Sequence, residues 1–172
     1  DEFVAIGKGG LALSGKEEAL VVSLGTGTAF VRAGRLGCVH IGGSGVGGGT
    51  LAGLSFHVFH ENDHSAMERL AKKGDLSKVD LMISDICTNE VGALPSHITA
   101  SNFGKITSGT EKEDIALGLL NMVFQTIGML SVFALRNDTV KDVVLTGSLA
   151  NMSIASQVMR VVEEISDVKF FI

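Results

Sequence analysis

The sequence has 172 residues, of which 45% are hydrophobic and 19% are charged, with a formal net charge of −5. This composition predicts a globular chain with a sizeable core, and it excludes a disordered chain. Because the net charge is negative and Lys and Arg are not clustered, a nucleic-acid-binding surface is not expected. The two cysteines, Cys38 and Cys87, have no metal-like spacing and are interpreted as reduced thiols of a cytoplasmic protein.

The first forty residues are predicted to form a helix, a strand and a β-hairpin. Residues 3–14 are interpreted as a helix loosened by glycines. Residues 19–24 form a short β-branched run that is typical of a buried strand. A Gly-Thr turn at 25–28 leads into the hairpin, whose turn is predicted at 33–35 and whose return strand covers 36–40.

A glycine-rich stretch follows the hairpin, with six glycines among the nine residues 41–49. Such a run cannot pack a core, and glycine is favoured where the backbone must approach a bulky group. A helix is predicted from Gly48 to about residue 60. A glycine-rich loop before a helix N-terminus is typical of an anion site, because the free N–H groups and the positive helix end point the same way. A flexible linker is the alternative, although linkers are usually flanked by polar sequence.

The rest of the chain is predicted to be mainly helical and to end in a parallel βαβ unit. The predicted elements are a helix at 66–73 capped by Asn62 or Asp63, a shorter helix near 79–83, a loop at 95–105, a long helix at 110–136, a strand at 142–146, a helix at 150–164 and a strand at 168–172. Thr110 is predicted to cap the long helix, with Glu113 completing a capping box. This helix is apolar enough to raise the question of a membrane span, but its internal amides and hydroxyls favour a buried or dimer-forming helix.

Several segments together resemble one enzyme family. They are Glu2-Phe3 with Ala5, Ser-Leu-Gly-Thr-Gly-Thr at 23–28, His-Ile-Gly-Gly-Ser-Gly-Val-Gly-Gly-Gly-Thr-Leu-Ala-Gly-Leu at 40–54, Thr-Ala-Ser-Asn-Phe-Gly at 99–104 and Val-Leu-Thr-Gly-Ser at 144–148. The chain resembles the type II (eukaryotic-like) pantothenate kinases of the actin/Hsp70/sugar-kinase superfamily. The resemblance implies an α/β fold, in which a ribonuclease-H-like lobe has a mixed sheet flanked by helices. It also implies ATP-dependent phosphorylation of the primary hydroxyl of pantothenate, the first step toward coenzyme A.

The resemblance also implies roles for individual residues. Glu2 matches the family's catalytic carboxylate, and a positioned carboxylate suits a hydroxyl that must lose its proton to attack a phosphate. The residues that match the ATP site are Thr26, Gly48, Gly49, Thr50, Leu51, Ala52, His64 and Ser148. The residues expected to contact the substrate are Glu2, Thr28 and His40. The implied cofactors are ATP and Mg²⁺, and the implied protein is a cytoplasmic homodimer without a dedicated metal site.

The sequence departs from the family pattern in three places. The family's N-terminal Asp-Gly-Gly-Thr-type loop is absent and the sequence begins at Asp1, so we expect residues 1–172 to be one α/β lobe from the C-terminal part of a two-lobed kinase. His40 stands where many members have Arg, and Ala29 stands where members often have Ser. Because neutral imidazole binds a carboxylate less well than guanidinium does, the substrate is either pantothenate or an uncharged relative such as pantetheine.

The sequence also has four alternative interpretations. The chain could be a nucleotide-binding paralogue without catalytic activity. Residues 43–48 match the G-x-G-x-x-G pattern of dinucleotide-dependent oxidoreductases, but a hairpin precedes them and Asp63 lies at a helix start. An activator ATPase of the same superfamily would need cluster-binding cysteines. His57, His60 and His64 have helical spacing, yet no cysteine or carboxylate set accompanies them to form a zinc site.

Overall fold

The computed structural model describes residues 1–87 and 95–172. The chain divides into two compact units. The first consists of Asp1–Thr50 and Val123–Ile172, and the second is Leu51–Met122. Both boundaries fall inside helices, since α2 covers Gly48–Phe59 and α5 covers Lys112–Ala134.

A mixed five-stranded sheet forms the centre of the first unit. Its strands are β1 (Ala19–Leu24), β2 (Thr28–Gly34), β3 (Gly37–Ser44), β6 (Asp142–Thr146) and β7 (Lys169–Phe171). They lie in the order β3-β2-β1-β6-β7, where the first three are antiparallel neighbours and β1, β6 and β7 run parallel. The predicted hairpin and the parallel βαβ unit are both confirmed.

Helices cover this sheet, as the mixed α/β prediction requires. The first four residues of β1 are 0% exposed, and because alternate residues of a strand point to opposite faces, both faces must be covered. Helix α1 (Glu2–Ser14) packs on one face, with Ile6 and Leu11 against Val21 and its neighbours. A Cβ at Gly10 would lie 2.4 Å from Val21 Cγ1, so this glycine lets the helix approach the sheet rather than loosening it.

The connection from β6 to β7 differs in detail from the predicted helix at 150–164. It consists of a 3-10 turn at Ser148–Asn151 followed by α6 (Ser153–Glu164), which packs against β7. The second half of α5 contacts α6 closely, since a Cβ at Gly128 would lie 2.9 Å from Val162 Cγ2.

The second unit contains short elements arranged around the first half of α5. They are α3 (His64–Ala71), a 3-10 turn at Leu76–Lys78, β4 (Leu81–Met82), α4 (Ile83–Ile86) and β5 (Thr99–Ser101). Asp63 caps α3, as predicted, by accepting hydrogen bonds from Ser65 N and Ala66 N, both at 3.1 Å. The helix predicted near 79–83 is wrong, because β4 occupies its centre and pairs with β5 inside the predicted loop.

A buried carboxylate explains why this segment does not continue as a helix. Asp80 is 0% exposed, and its oxygens accept hydrogen bonds from Asn121 Nδ2 at 2.8 Å, Phe103 N at 2.9 Å and Thr99 Oγ1 at 3.0 Å. A buried charge is tolerated when hydrogen bonds replace its hydration. The carboxylate therefore joins the chain on either side of β4 and β5 to α5.

Helix α5 begins one position later than a cap at Thr110 would require. The carbonyl of Glu111 accepts the bond from Ile115 N at 3.1 Å, while the Thr110 hydroxyl accepts a bond from Thr107 N at 2.9 Å. The Thr110 cap is therefore wrong. Of the helices in the described part of the chain, α5 alone has the length and hydropathy of a membrane span, and 56% of its apolar window is buried within the structure. That burial is compatible with a core helix.

Candidate functional site

The candidate site lies where the parallel strands β1 and β6 end side by side. From β1 the chain turns to β2 on one side of the sheet, and from β6 it continues through α6 to β7 on the other side. In open α/β sheets, ligands bind outside the carboxyl ends of the strands at such a point of divergence. The turns that follow the two strands contain Thr26 and Ser148, both of which are exposed. The sheet thus brings together the two turns that contain Thr26 and Ser148, which the sequence predicts as ATP contacts.

Gly147 fixes the contact between these two turns. Its φ of 98° lies in the region that favours glycine, and a Cβ there would lie 2.4 Å from the carbonyl oxygen of Leu24 at the end of β1. No other residue type fits this position without moving the backbone. The turn after β6 is therefore held directly against the end of β1.

The glycine-rich stretch is less of a loop than the sequence predicts. Strand β3 continues through Ser44, and Gly43 pairs with Ala29 of β2. Phe30 pairs with Gly42 and Val31 with His40, so Ile41 is an extra residue that forms a β-bulge. The turn itself is residues 45–47, and α2 begins at Gly48 as predicted.

The first amides of α2 are bonded to the turn that contains Thr26. Gly48 N donates to Gly25 O at 2.8 Å, and Gly49 N donates to Thr26 O at 2.9 Å. The two turns are also in close contact, since a Cβ at Gly47 would lie 2.8 Å from the carbonyl carbon of Gly27. The N–H groups that the sequence suggests as phosphate ligands thus hold the Thr26 turn in place.

Two hydroxyl groups complete this junction. Thr50 Oγ1 accepts a bond from Gly47 N at 3.2 Å and donates to Gly45 O at 3.0 Å. Thr28 is 4% exposed and donates from Oγ1 to Val46 O at 2.8 Å. The sequence suggests Thr28 as a substrate contact, yet its hydroxyl is used inside the fold.

The predicted substrate residues Glu2 and His40 come from two elements that an aromatic pair joins. Glu2 is exposed in the first turn of α1, where the side chain of Asp1 caps the helix through Phe3 N at 3.0 Å. The Phe3 ring stacks on the His40 imidazole of β3, with centroids 4.0 Å apart. The helix end that carries Glu2 therefore lies beside His40. Sequence reasoning missed this role of Phe3, because nothing local in the sequence signals a stack between residues so far apart.

The remaining predicted ATP residues belong to the second unit. Leu51 and Ala52 continue α2, with Leu51 1% exposed, and His64 is the first residue of α3. Within residues 1–87 and 95–172, no group of three or more His, Cys, Asp or Glu side chains is arranged to hold a metal ion. His57, His60 and His64, the histidines considered for zinc, lie among these residues. Cys38 and Cys87 are free thiols.

Comparison with known proteins identifies related sequences over most of the chain. Residues 18–168 match the Fumble family. The chain is 33% identical over 135 residues to a type II pantothenate kinase of Oceanobacillus iheyensis, covering 77% of this chain and 50% of that protein. It is 27% identical over 159 residues to the type II pantothenate kinase of Staphylococcus haemolyticus, covering 87% of this chain and 60% of that protein.

A eukaryotic sequence is related to a similar degree. The pantothenate kinase of Schizosaccharomyces pombe is 30% identical over 140 residues, which cover 75% of this chain and 35% of that protein. The chain spans about half the length of the curated relatives it matches.

Proposed function

Because this chain belongs to the Fumble family, we propose that it is part of an ATP-dependent kinase that phosphorylates the primary hydroxyl of pantothenate. This reaction is the first step of coenzyme A biosynthesis. The bacterial relatives are named type II pantothenate kinases, which supports the proposal. The mixed sheet flanked by helices supports the finer proposal of a ribonuclease-H-like lobe in the actin-like superfamily.

The proposal of a nucleotide site is based on one observation, the adjacent turns at the carboxyl ends of β1 and β6. These turns contain Thr26 and Ser148, both exposed, at the divergence point of the sheet. A phosphate group requires donors, and these turns offer backbone amides and two hydroxyls on small residues. We assign the phosphates of ATP to this edge. Leu51, Ala52 and His64 stay proposals as further ATP contacts.

Glu2 has the chemistry required of the catalytic carboxylate. In the proposed reaction the primary hydroxyl oxygen attacks the γ-phosphorus, the bond to the leaving ADP oxygen breaks, and the hydroxyl proton passes to the Glu2 carboxylate. His40 lies beside the same helix end through its stack on Phe3. We therefore place the substrate near Glu2 and His40.

We propose that Mg²⁺ is bound together with ATP. The described residues contain no group of three or more acidic, histidine or cysteine side chains that could hold a metal ion. We propose that the ion arrives bound to the ATP phosphates.

The proposal of a homodimer is based on the family resemblance and on the apolar character of α5. We propose a cytoplasmic, two-lobed homodimer of which residues 1–172 form one α/β lobe. Only 56% of the apolar stretch of α5 is buried within the structure, and the part that stays exposed suits a second subunit. Sedimentation velocity of the full-length protein at micromolar concentration tests this assembly, and a monomer would contradict it.

The substrate is best tested by comparing two alcohols in the full-length protein. ADP release with ATP and pantothenate supports the proposal, and tight NADH binding without ATP binding would instead favour an oxidoreductase. Pantetheine is the second candidate substrate, because the stacked imidazole of His40 provides no fixed positive charge for a carboxylate. Turnover of pantetheine alone would keep the kinase and exclude pantothenate. ATP binding without turnover of either alcohol would indicate a non-catalytic paralogue.

A further inference from the structure

We infer that Thr28 is a positioning residue that holds the Thr26 turn in its nucleotide-binding conformation, rather than a ligand of the alcohol substrate. The inference rests on the proposed function, because it concerns the contacts that stabilise the proposed ATP site. It also changes the role of the glycine-rich stretch. Val46, Gly48 and Gly49 form hydrogen bonds that hold the Thr26 turn, instead of binding the phosphates.

Thr28 connects the start of β2 to the turn before α2. Its side chain is 4% exposed, and its hydroxyl donates to Val46 O at 2.8 Å. A residue this buried has little surface to offer a substrate. Its hydroxyl satisfies a carbonyl in a turn that lies between β3 and α2, so the bond helps to hold residues 48–50, the start of α2, against the Thr26 turn.

The bonds from α2 determine which way the Thr26 turn points. Gly48 N and Gly49 N bond the carbonyls of Gly25 and Thr26. In a trans peptide the N–H points opposite to the carbonyl, so the amides of Thr26 and Gly27 are directed away from α2. Hydrogen bonds in series polarise one another, and the positive end of α2 strengthens these two amides as donors. The helix thus acts on the phosphates through the turn.

Two substitutions of Thr28 separate its hydroxyl from its volume. Thr28→Val keeps the branched shape but removes the hydrogen bond to Val46 O, whereas Thr28→Ser keeps the hydroxyl. For the full-length protein we expect Thr28→Val to raise the Kd and KM for ATP by about 3- to 10-fold, the range that corresponds to one lost hydrogen bond. The KM for the alcohol should stay within about 2-fold of the wild type, and Thr28→Ser should restore ATP binding.

Ser166→Ala is the matched control in the same unit. Ser166 Oγ donates to Val162 O at 2.7 Å, a bond of the same kind beyond the end of α6 and before β7. This variant should lower the Tm without changing the Kd for ATP. If Thr28→Val does not fold, Gly49→Ala tests the same junction, because its Cβ would lie 2.9 Å from Thr26 Cγ2 and displace the turn.

The possible outcomes separate the inference from the proposed function. An ATP-specific loss in Thr28→Val that serine restores supports the inference. A rise in KM for the alcohol alone would make Thr28 a substrate ligand and overturn it, as would a lower Tm with unchanged ATP binding. If the wild-type protein bound no ATP, the proposed function would fail together with the inference. If the wild type bound ATP and both Thr28→Val and Gly49→Ala bound it equally well, the inference alone would fail.

Discussion

The ring of Phe3 stacks on the imidazole of His40, with the ring centroids 4.0 Å apart and the planes inclined by 16°. This contact joins the first turn of α1 to β3, two elements that are distant in the sequence. It places the helix end that carries Glu2 beside His40, where the family resemblance predicts an arginine in many members. Aromatic pairs of this kind contribute about 0.5–1.5 kcal/mol beyond the area that they bury.

Phe3→Leu removes the stack and keeps an apolar side chain. We expect the KM for the alcohol substrate to rise by about 2- to 10-fold, because His40 and the Glu2 turn lose their mutual support. The Kd for ATP should change little. Phe56→Leu makes the same change at an exposed aromatic of α2 whose ring contacts His60, and it should leave the KM for the alcohol unaltered. Steady-state kinetics that are identical for Phe3→Leu and the wild type would show that the stack has no part in substrate binding.

His40→Arg tests which alcohol the site accepts. A guanidinium group can stack on Phe3 as imidazole does, and it adds a fixed charge and two parallel donors for a carboxylate. If pantothenate is the substrate, its KM should fall by about 10- to 100-fold, the range expected for one charge-assisted hydrogen bond. The KM for pantetheine, which has no carboxylate, should not fall. An unchanged KM for pantothenate would place its carboxylate away from residue 40.

Glu2→Gln tests the proton acceptor. The amide keeps the size of the side chain but cannot take up the hydroxyl proton, so kcat should fall by about 10²- to 10⁴-fold. ATP binding, measured by calorimetry, should stay close to that of the wild type. Glu17→Gln, at another exposed carboxylate, is the control and should keep its turnover. Wild-type turnover in Glu2→Gln would show that Glu2 is a surface charge.

The parts of the fold that depend on local sequence could be predicted. The β-branched residues of β1 predict a buried strand, Asp63 predicts the start of α3, and Gly48 lies where α2 begins. Each of these signals lies within a few residues of the structure that it determines. The family resemblance predicts Thr26 and Ser148 as ATP contacts, and the sheet brings the turns that contain them together.

Other features depend on partners far away in the chain. Asp80 is bonded to Thr99 and Asn121, and these pairings replace the predicted helix near 79–83 with a strand. No local pattern signals the bond from Thr28 to Val46, because both residues also suit an open loop. The bulge at Ile41 is similar, since it is visible as a shift in pairing between two strands and not in either strand alone.

Gly147→Ala should damage both stability and nucleotide binding. The new Cβ would lie 2.4 Å from Leu24 O, in a backbone conformation with φ of 98° that alanine rarely adopts. We expect the free energy of unfolding to fall by more than about 1 kcal/mol and ATP affinity to fall with it. Gly9→Ala is the control, since its Cβ would meet nothing within 4 Å and helix propensity favours the change. Urea unfolding and ATP calorimetry check both variants, and wild-type ATP binding by Gly147→Ala would remove this turn from the site.

Asp138→Asn tests a link between β2 and the segment that connects α5 to β6. Arg32 Nε of β2 bonds Asp138 Oδ2 at 2.8 Å, and both side chains are less than a third exposed. The hydrogen bond from Arg32, aided by those from the amides of Val140 and Thr139, lowers the pKa of the Asp138 carboxyl below its usual value. A folded-state pKa below the unfolded value of about 3.9 means that the stabilisation is complete above that value. It is lost as the pH falls through the lower folded-state pKa.

The free energy of unfolding should therefore fall in Asp138→Asn by about 1 kcal/mol at neutral pH, a figure that allows for partial exposure. We expect the same difference at pH 7 and pH 5, and a smaller one as the pH falls below about 4. Urea titrations at pH 7, 5 and 3 measure this difference in the free energy of unfolding. In an Arg32→Gln background most of the difference at pH 7 should disappear, because the partner of the carboxylate is gone. A penalty of equal size at pH 3 and pH 7 would show that the ionised carboxylate is not what stabilises this link.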